Sequence, residues 1–233
     1  MKFGIVVFPG SWSERDMHYA VSDVLGYQAE YVWHREAKLA GFDAILLPGG
    51  FSYGDHLRCG AVAAHSPVMG AIKEFVENGG FVFGSCNGFQ ILCESGLLPG
   101  ALIRNDHLEF RCSAGTLRVE TSSTPFTSQF SAGDVVSMPI SHGEGNYQAD
   151  DETLATLEAS GRIVFRYVDA ENQASAEANP NGSRNNIAGI TNARGNVLGM
   201  MPHPERACES LLGSSDGNPL WQSIAAAVDA GKS

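Results

Sequence analysis

The chain has 233 residues, of which 43% are hydrophobic, and this is enough for one domain with a substantial core. Its formal net charge of −11, from 15 basic and 26 acidic residues, argues against a protein that binds nucleic acid or an anionic membrane. No apolar stretch approaches the roughly 20 residues that a transmembrane helix needs. We therefore expect a single domain over residues 1–233 of a cytoplasmic protein.

The five cysteines do not form a recognisable framework. Their number is odd and no C-x-x-C motif occurs, so we expect neither a set of disulfides nor a structural zinc site, and no metal site at all. Free cysteine is among the residues most often buried. Four of the five are therefore expected to be small core residues, and these are Cys59, Cys93, Cys112 and Cys208.

The first half of the chain alternates strand and helix signals. The apolar run 3–8 stops at Pro9-Gly10 without a cleavage pattern, which favours a first buried strand over a signal peptide. Ser66-Pro67 is a strong helix start, with serine as N-cap and proline at the first helical position. The patterns predict strands at 3–8, 29–33, 44–47 and 81–83, and helices at 13–25, 67–79 and 87–95.

The second half changes character. Short β-rich segments at 116–120, 135–140 and 163–168 predict a more antiparallel portion of the same domain. Residues 169–186 are polar and rich in Asn, which predicts a loop, and strands are expected at 187–191 and 197–201 before a closing helix at 217–230. The alternation in the first half predicts an α/β fold with a mostly parallel central sheet covered by helices on both faces, extended by the antiparallel β portion.

The stretch Gly84-Ser85-Cys86-Asn87-Gly88 has the G-x-nucleophile-x-G pattern between a predicted strand and a predicted helix. Small residues must flank a nucleophile on so tight a bend, and the N-terminus of the following helix stabilises a thiolate. The backbone N–H of Asn87 would point to where an oxyanion develops. Glycine-rich strand-to-helix turns also occur for packing alone, so the pattern by itself leaves that alternative open.

A thiolate nucleophile needs a base, and His203 is the best candidate of the seven histidines. It lies in Met201-Pro202-His203-Pro204-Glu205, where the prolines favour an extended backbone. In an extended segment residues i and i+2 project to the same side, so Glu205 can orient the ring of His203. The alternative is a surface loop after a strand.

Two glycine-rich turns are expected near the bend. Pro48-Gly49-Gly50 ends a predicted strand, and it could be a simple turn, a phosphate cradle or, beside a nucleophile, a source of a second oxyanion donor from the Gly50 N–H. The third option is favoured. The turn 141–147 is too polar for a core, so it lines the same cleft or forms a hairpin loop.

With these residues in place, the sequence resembles the class I, or triad, glutamine amidotransferases, and among them the glutaminase subunits of phosphoribosylformylglycinamidine synthases. The resemblance implies a flavodoxin-like sheet, Cys86 as nucleophile, His203 as acid and base, and Glu205 as its orienting group. It places the oxyanion hole at Gly50 and Asn87, and substrate contacts at Gln90, His142 and Gly143. The matching stretches include "LLPGGFSYGDHLRCGAVAA", "CNGFQIL", "HGEGNY", "NPNGS" and "GNVLGMMPHPER".

The resemblance also implies partners. L-glutamine would be hydrolysed to glutamate and ammonia, and ammonia would pass to a separate ATP-dependent synthetase subunit, with a small third subunit also expected. No P-loop motif occurs in this chain, so ATP and Mg²⁺ are expected on the synthetase and no cofactor here. The loop 51–58, Arg104 and Asn105 are expected to face the synthetase. No nucleic acid or membrane is expected as a partner.

Two alternatives remain at this point. One is the DJ-1-like group of stress proteins and peptidases, which also carry a cysteine on an elbow but lack the late His-Pro-Glu. The other is a catalytically silent subunit that only scaffolds a synthetase. The sequence departs from the family pattern at Trp12-Ser13, at His56 and at Ser85, where an apolar residue is usual. The sequence offers no explanation for Ser85.

Overall fold

The structure, a computed structural model, describes residues 1–231, so residues 232–233 of the predicted domain lie outside it. A nine-stranded sheet forms the centre, and helices flank it. Its strands are β1 (Lys2–Val7), β2 (Gln28–Trp33), β3 (Ala44–Leu47), β4 (Phe81–Ser85), β6 (Arg111–Val119), β7 (Val135–His142), β9 (Ile163–Tyr167), β10 (Ile187–Thr191) and β11 (Val197–Met200), while β5 (Ala101–Ile103) and β8 (Asn146–Gln148) pair separately. The helices are α1 (Glu14–Tyr19), α2 (Pro67–Glu77), α3 (Asn87–Glu94), α4 (Asp151–Ala159) and α5 (Asn218–Gly231).

The strand order is β2-β1-β3-β4-β11-β10-β9-β6-β7. The first five strands in this order are parallel, and the remaining pairs are antiparallel. The parallel part has the flavodoxin-like order, in which ligands bind beyond the carboxyl ends of the strands. The predicted fold class is therefore confirmed, including the antiparallel portion.

Helices cover both faces of the sheet because its strands are apolar on both sides. Val6 and Phe8 belong to the core that α2 and α3 complete, whereas Phe3 and Ile5 belong to the core that α1 and α5 complete. This alternation is the period of two that places successive side chains on opposite faces of a strand. Within residues 1–231, no helix is long and apolar enough to cross a membrane.

Several elements differ from the sequence expectations. β5, β8 and α4 were not predicted, and β6 begins five residues earlier than expected because it pairs with β7 along its length. α4 has a clear sequence signal in Asp150, whose side chain accepts a hydrogen bond from the backbone N–H of Thr153 at 2.7 Å. Helix α1 continues as a π-helical segment, Ala20–Val24. The predicted loop at 169–186 is irregular and ends in a single 3₁₀ turn, Arg184–Asn186.

The expectation for the cysteines holds at three positions and is wrong at one. Cys59, Cys93 and Cys208 are buried, but Cys112 is exposed. Cys112 lies on β6, whose first four residues are exposed, so this part of the strand contributes nothing to the core. The usual burial of cysteine does not apply here because Cys112 lies in the exposed first part of β6.

The bend between β4 and α3 depends on two glycines. A Cβ atom on Gly88 would lie 2.1 Å from the carbonyl oxygen of Leu47, and one on Gly84 would lie 2.7 Å from the carbonyl carbon of Gly88. Contacts this short do not occur, so the backbones of β3, β4 and α3 can approach only where side chains are missing. The predicted need for small residues on the bend is confirmed.

Replacing Gly88 with alanine should therefore destabilise the protein by about 2 kcal/mol, since the added methyl group has to displace the backbone of β3. Gly70 is the matched control, because it lies in α2 and a Cβ atom there would meet nothing within 4 Å. Gly70→Ala should stabilise by about 0.5–1 kcal/mol. Urea denaturation of both variants measures the two effects, and equal stabilities would contradict this reading of the bend.

Candidate active site

The register of the sheet brings three chain segments together at its carboxyl edge. β4 lies between β3 and β11, with Gly84 opposite Leu47 and Ser85 opposite Met200. The segments that follow these strands carry Gly49, Cys86 and His203. A Cβ atom on Gly49 would lie 2.7 Å from Cε1 of His203 and 3.3 Å from Cβ of Cys86. Gly49 therefore lies between the cysteine and the histidine.

Cys86 has the strained backbone that the sequence pattern predicts for a nucleophile. Its φ of 50° and ψ of −109° lie outside the regions that L-residues usually adopt. Its backbone N–H donates to the carbonyl of Met200 at 2.8 Å, which fixes the bend to β11. The sulfur lies 3.5 Å from the carbonyl oxygen of Ser141. The side chain is mostly buried and lines a cavity.

His203 and Glu205 form a buried pair. Nδ1 of His203 lies 2.7 Å from Oε1 of Glu205, and both side chains are almost fully buried. Nε2 of His203 has no hydrogen-bond partner among the residues that the structure describes. The ring is thus held through one nitrogen while the other is left for the side occupied by Cys86. His203 and Glu205 pair as expected, but the expected extended backbone is wrong, because Pro204–Arg206 forms a 3₁₀ turn and this turn brings the two side chains together.

Charge keeps this pair ionised despite its burial. Burial alone would lower the pKa of His203, but the Glu205 carboxylate and the Cys86 side chain outweigh it and raise this pKa to about 10. Burial would likewise raise the pKa of Glu205, whereas the His203 cation holds it below its usual value. At neutral pH the pair is therefore an imidazolium and a carboxylate, which suits a neighbouring thiolate.

Ser85 takes part in the same arrangement. Its hydroxyl donates a hydrogen bond to Oε1 of Glu205 at 3.1 Å, and both groups are buried. The oxygen that accepts from Ser85 is the one that contacts His203. The sequence offered no explanation for a serine beside the cysteine, and the structure supplies one in the form of a donor to the carboxylate.

A cavity of about 320 Å³ opens in front of Cys86. Its size suits a small molecule. Gly50, Gln90, His142 and Gly143 line it together with Cys86, so the structure collects most of the predicted site residues around one space. Its other lining residues include Asp55, Cys59, Arg104, Phe110, Ser141 and Glu144.

The two predicted oxyanion donors lie on the segments next to Cys86, and Gly50 lines the cavity. Gly50 has a φ of 144°, and a Cβ atom on it would lie 2.6 Å from the backbone nitrogen of Trp12, so only glycine fits. Asn87 is the first residue of α3, and the first N–H groups of a helix have no acceptor within the helix. Their role in holding an oxyanion stays a prediction.

His142 is a neutral histidine with a defined tautomer. The Asn181 side-chain oxygen accepts from the backbone N–H of Ser183 at 3.1 Å, so its NH₂ group faces Nε2 of His142 at 3.0 Å. Nε2 accepts this hydrogen bond, and the proton of the ring lies on Nδ1. Burial, followed by the charges of His203 and His107, lowers the pKa of His142 to about 3. Asn181 lies in the matched stretch "NPNGS", but that stretch gave no indication of a contact with His142.

The amide of Gln90 is engaged by the protein. Its oxygen accepts from the side chain of Asn87 at 2.9 Å, and its NH₂ group donates to the carbonyl of Glu144 at 2.6 Å. Gln90 therefore ties α3 to the turn 141–147. That turn lines the cavity and leads into β8, which pairs with β5, so the alternative of a hairpin loop is wrong.

Asn105 does not face a partner as expected. It is fully buried, and its NH₂ group donates to the carbonyls of Glu109 and His142 while its oxygen accepts from the N–H of Gly145. Asn105 thus stabilises the turn 141–147 through its hydrogen bonds with the backbone of His142 and Gly145. Arg104, the other residue of that expectation, is exposed and lies 3.8 Å from the carboxylate of Glu144.

A second thiol, that of Cys59, lines the cavity. Burial, together with the carboxylates of Glu144 and Asp55, raises the pKa of Cys59 far above the ordinary thiol range. Cys59 therefore stays protonated and is a poor nucleophile. Asp55 and Glu144 had no predicted role of their own within the loop 51–58 and the turn 141–147, because acidic residues on separate loops carry no spacing signal.

No group of three or more His, Cys, Asp and Glu side chains suited to a metal ion occurs within residues 1–231.

A flavodoxin-like sheet that carries cysteine, histidine and glutamate together at its carboxyl edge is the arrangement of an enzyme that transfers acyl groups through a thiol. The sequence model of the CobB/CobQ-like glutamine amidotransferase domain matches residues 1–224. The chain therefore belongs to the CobB/CobQ-like glutamine amidotransferase family.

Curated relatives are similar over nearly their whole length. The chain is 56% identical to the phosphoribosylformylglycinamidine synthase subunit PurQ of Moorella thermoacetica, over 96% of this chain and 95% of that protein. It is 52% identical to the protein of the same name from Salinibacter ruber, again over 96% and 95%. A chain in the structure of PurLQS from Thermotoga maritima is 43% identical, with a TM-score of 0.85 and 97% of each chain covered.

The depressed pKa of His142 predicts a specific loss of stability in acid. Unfolded His142 takes up a proton near its ordinary pKa of 6.5, but folded His142 does so only near 3. The folded state therefore loses up to about 1.4 kcal/mol per pH unit as the pH falls from 6.5 towards 3. His142→Gln, which keeps an acceptor for Asn181, should remove this part of the slope.

Urea denaturation at several pH values between 7 and 4.5 measures the slope. His65→Gln, a substitution of an exposed histidine, is the matched control and should retain the wild-type slope. A wild-type slope in His142→Gln would show that His142 is not held neutral by the fold.

Proposed function

We propose that this chain is the glutaminase subunit of a phosphoribosylformylglycinamidine synthase. It hydrolyses L-glutamine and passes ammonia to an ATP-dependent synthetase subunit, which converts formylglycinamide ribonucleotide to formylglycinamidine ribonucleotide in purine biosynthesis. Identities above 50% to two proteins of that name, over 96% of this chain, support the substrate and the pathway.

The main structural support for this reaction is that Cys86 lines a cavity and lies beside the buried imidazolium of His203 and the carboxylate of Glu205. The Cys86 thiolate attacks the side-chain carboxamide carbon of glutamine and forms a tetrahedral adduct. The N–H groups of Gly50 and Asn87 stabilise the negative oxygen of this adduct. His203 donates its proton to the nitrogen, the C–N bond breaks, and ammonia leaves a γ-glutamyl thioester on Cys86.

The second half of the reaction uses the same groups in reverse. Neutral His203 takes a proton from water, and the hydroxide attacks the thioester carbonyl. The C–S bond then breaks, glutamate leaves, and the thiolate and the imidazolium are restored. Glu205 holds the ring in one orientation through both steps. Gln90, His142 and Gly143 line the space that the body of the glutamine would occupy.

The synthetase would dock over the mouth of the cavity. Apolar side chains that line the cavity are also exposed to solvent, and these are Phe51, Leu108 and Phe110. Exposed apolar patches of this kind mark protein–protein contacts. Phe51 and Asp55 of the loop 51–58 line the cavity, which supports this loop as part of the proposed docking face. We assign ATP and Mg²⁺ to the synthetase, expect a small third subunit in the complex, and place the complex in the cytoplasm.

The test reconstitutes this chain with its synthetase subunit and measures amidine formation from either glutamine or ammonium salts. Cys86→Ala should abolish the glutamine-dependent reaction, a loss of at least about 10³-fold, because no thioester can form. The ammonium-dependent reaction should be unchanged, since it bypasses the glutaminase site. Cys59→Ala is the matched control in the same cavity and should retain most of the glutamine-dependent activity.

Glutamine-dependent activity in Cys86→Ala would refute the proposed nucleophile. Failure of wild-type chain to support any glutamine-dependent reaction would instead favour a silent scaffolding subunit.

A further inference from the structure

We infer that Ser85 is a positioning residue of this site: its hydroxyl fixes the Glu205 carboxylate and thereby sets how tightly His203 holds its proton. The inference rests on the proposed function, because it assigns Ser85 a task within the glutaminase reaction. It concerns a residue for which the motifs gave no role.

The geometry makes the hydroxyl hard to replace. Ser85 is fully buried and Glu205 is 1% exposed, so water cannot substitute for either partner. The donor lies on the last residue of β4 and the acceptor lies in the segment after β11, and Ser85 pairs with Met200 across these strands. The hydrogen bond therefore joins the residue before the nucleophile to the residue that orients the base.

Oε1 of Glu205 is shared between two donors. It accepts from Ser85 at 3.1 Å and lies 2.7 Å from Nδ1 of His203, while Oε2 has no side-chain or main-chain partner in the hydrogen-bond network of residues 1–231. A donor on the shared oxygen draws off part of its negative charge and competes with the imidazolium for it. Without the hydroxyl, the carboxylate would hold the proton of His203 more tightly and would be free to rotate.

The pKa of His203 also depends on the other titratable and charged groups around His203 and Glu205. A substitution at Ser85 changes none of these groups, so a change in the titration of His203 can be attributed to the loss of the hydroxyl. The titratable and charged groups are Cys86 from the bend, His142 from β7, Arg206, Cys208 and Glu209 from the segment after β11, and Asp16 and Tyr19 from α1.

Two substitutions of the same shape separate the hydroxyl from packing. Ser85→Thr keeps the hydroxyl and Ser85→Val replaces it with a methyl group, so any strain from the added volume is common to both. Ser85→Ala removes the hydroxyl without adding volume and serves if the two larger variants fail to fold. Ser183→Ala is the control, because Ser183 is also buried and its hydroxyl has no partner among the described residues.

The first readout is the titration of His203 in the isolated chain, followed by NMR of ¹⁵N-labelled histidine. Ser85→Ala and Ser85→Val should shift the His203 midpoint upward by about half a pH unit, roughly a threefold tighter hold on the proton. Ser85→Thr and Ser183→Ala should match the wild type. If Ser85 contributed only to packing, the His203 midpoint would be the same in Ser85→Ala and Ser85→Val as in the wild type.

The second readout is glutamine hydrolysis in the complex with the synthetase. Ser85→Ala and Ser85→Val should lower kcat about tenfold with little change in KM, since the hydroxyl acts on the transfer of the proton and not on substrate binding. The alkaline limb of the pH profile should move upward with the His203 midpoint. An unchanged or lowered midpoint together with wild-type kcat in Ser85→Ala would overturn the inference while leaving the glutaminase intact. A wild-type complex without glutaminase activity would overturn the proposed function instead.

Discussion

A carboxylate that is shut off from water must be compensated within the protein, and the site is organised around this constraint. Glu205 is compensated by the imidazolium of His203 at 2.7 Å and by the hydroxyl of Ser85 at 3.1 Å. The first contact keeps His203 charged and fixes its ring. The second ties the carboxylate to the residue that precedes Cys86, so one anion links the orientation of the base to the position of the nucleophile.

Cys86 and His203 can come this close only because glycines, which have no side chain, lie at the points of contact. Gly49 lies between His203 and Cys86, Gly84 lets β4 approach α3, and Gly88 lets α3 approach β3. The strained backbone of Cys86 is held by the hydrogen bond from its N–H to Met200 and by the strands on either side. The sheet thus supplies the rigidity that a strained nucleophile needs.

Much of the fold and the centre of the site could be predicted because local patterns carry them. Alternating strands and helices predict the parallel sheet, and the short spacings around Cys86 and between His203 and Glu205 predict their pairing once the strands are neighbours. The rest depends on contacts between segments far apart in the chain. The donors on Glu205 and His142, from Ser85 and Asn181, join residues 120 and 39 positions apart, and no local pattern encodes them. The burial of Asn105 was missed for the same reason.

The central claim is that Cys86, activated beside the buried His203–Glu205 pair, forms a covalent bond with the carboxamide carbon of glutamine. The most direct measurement is acid quenching of the complex during turnover with isotopically labelled glutamine, followed by mass spectrometry of its peptides. The account predicts a labelled γ-glutamyl group on the peptide that contains Cys86 and on no other peptide of this chain. A label on the peptide that contains Cys59, or steady glutamine hydrolysis with no labelled peptide under conditions that preserve thioesters, would contradict it.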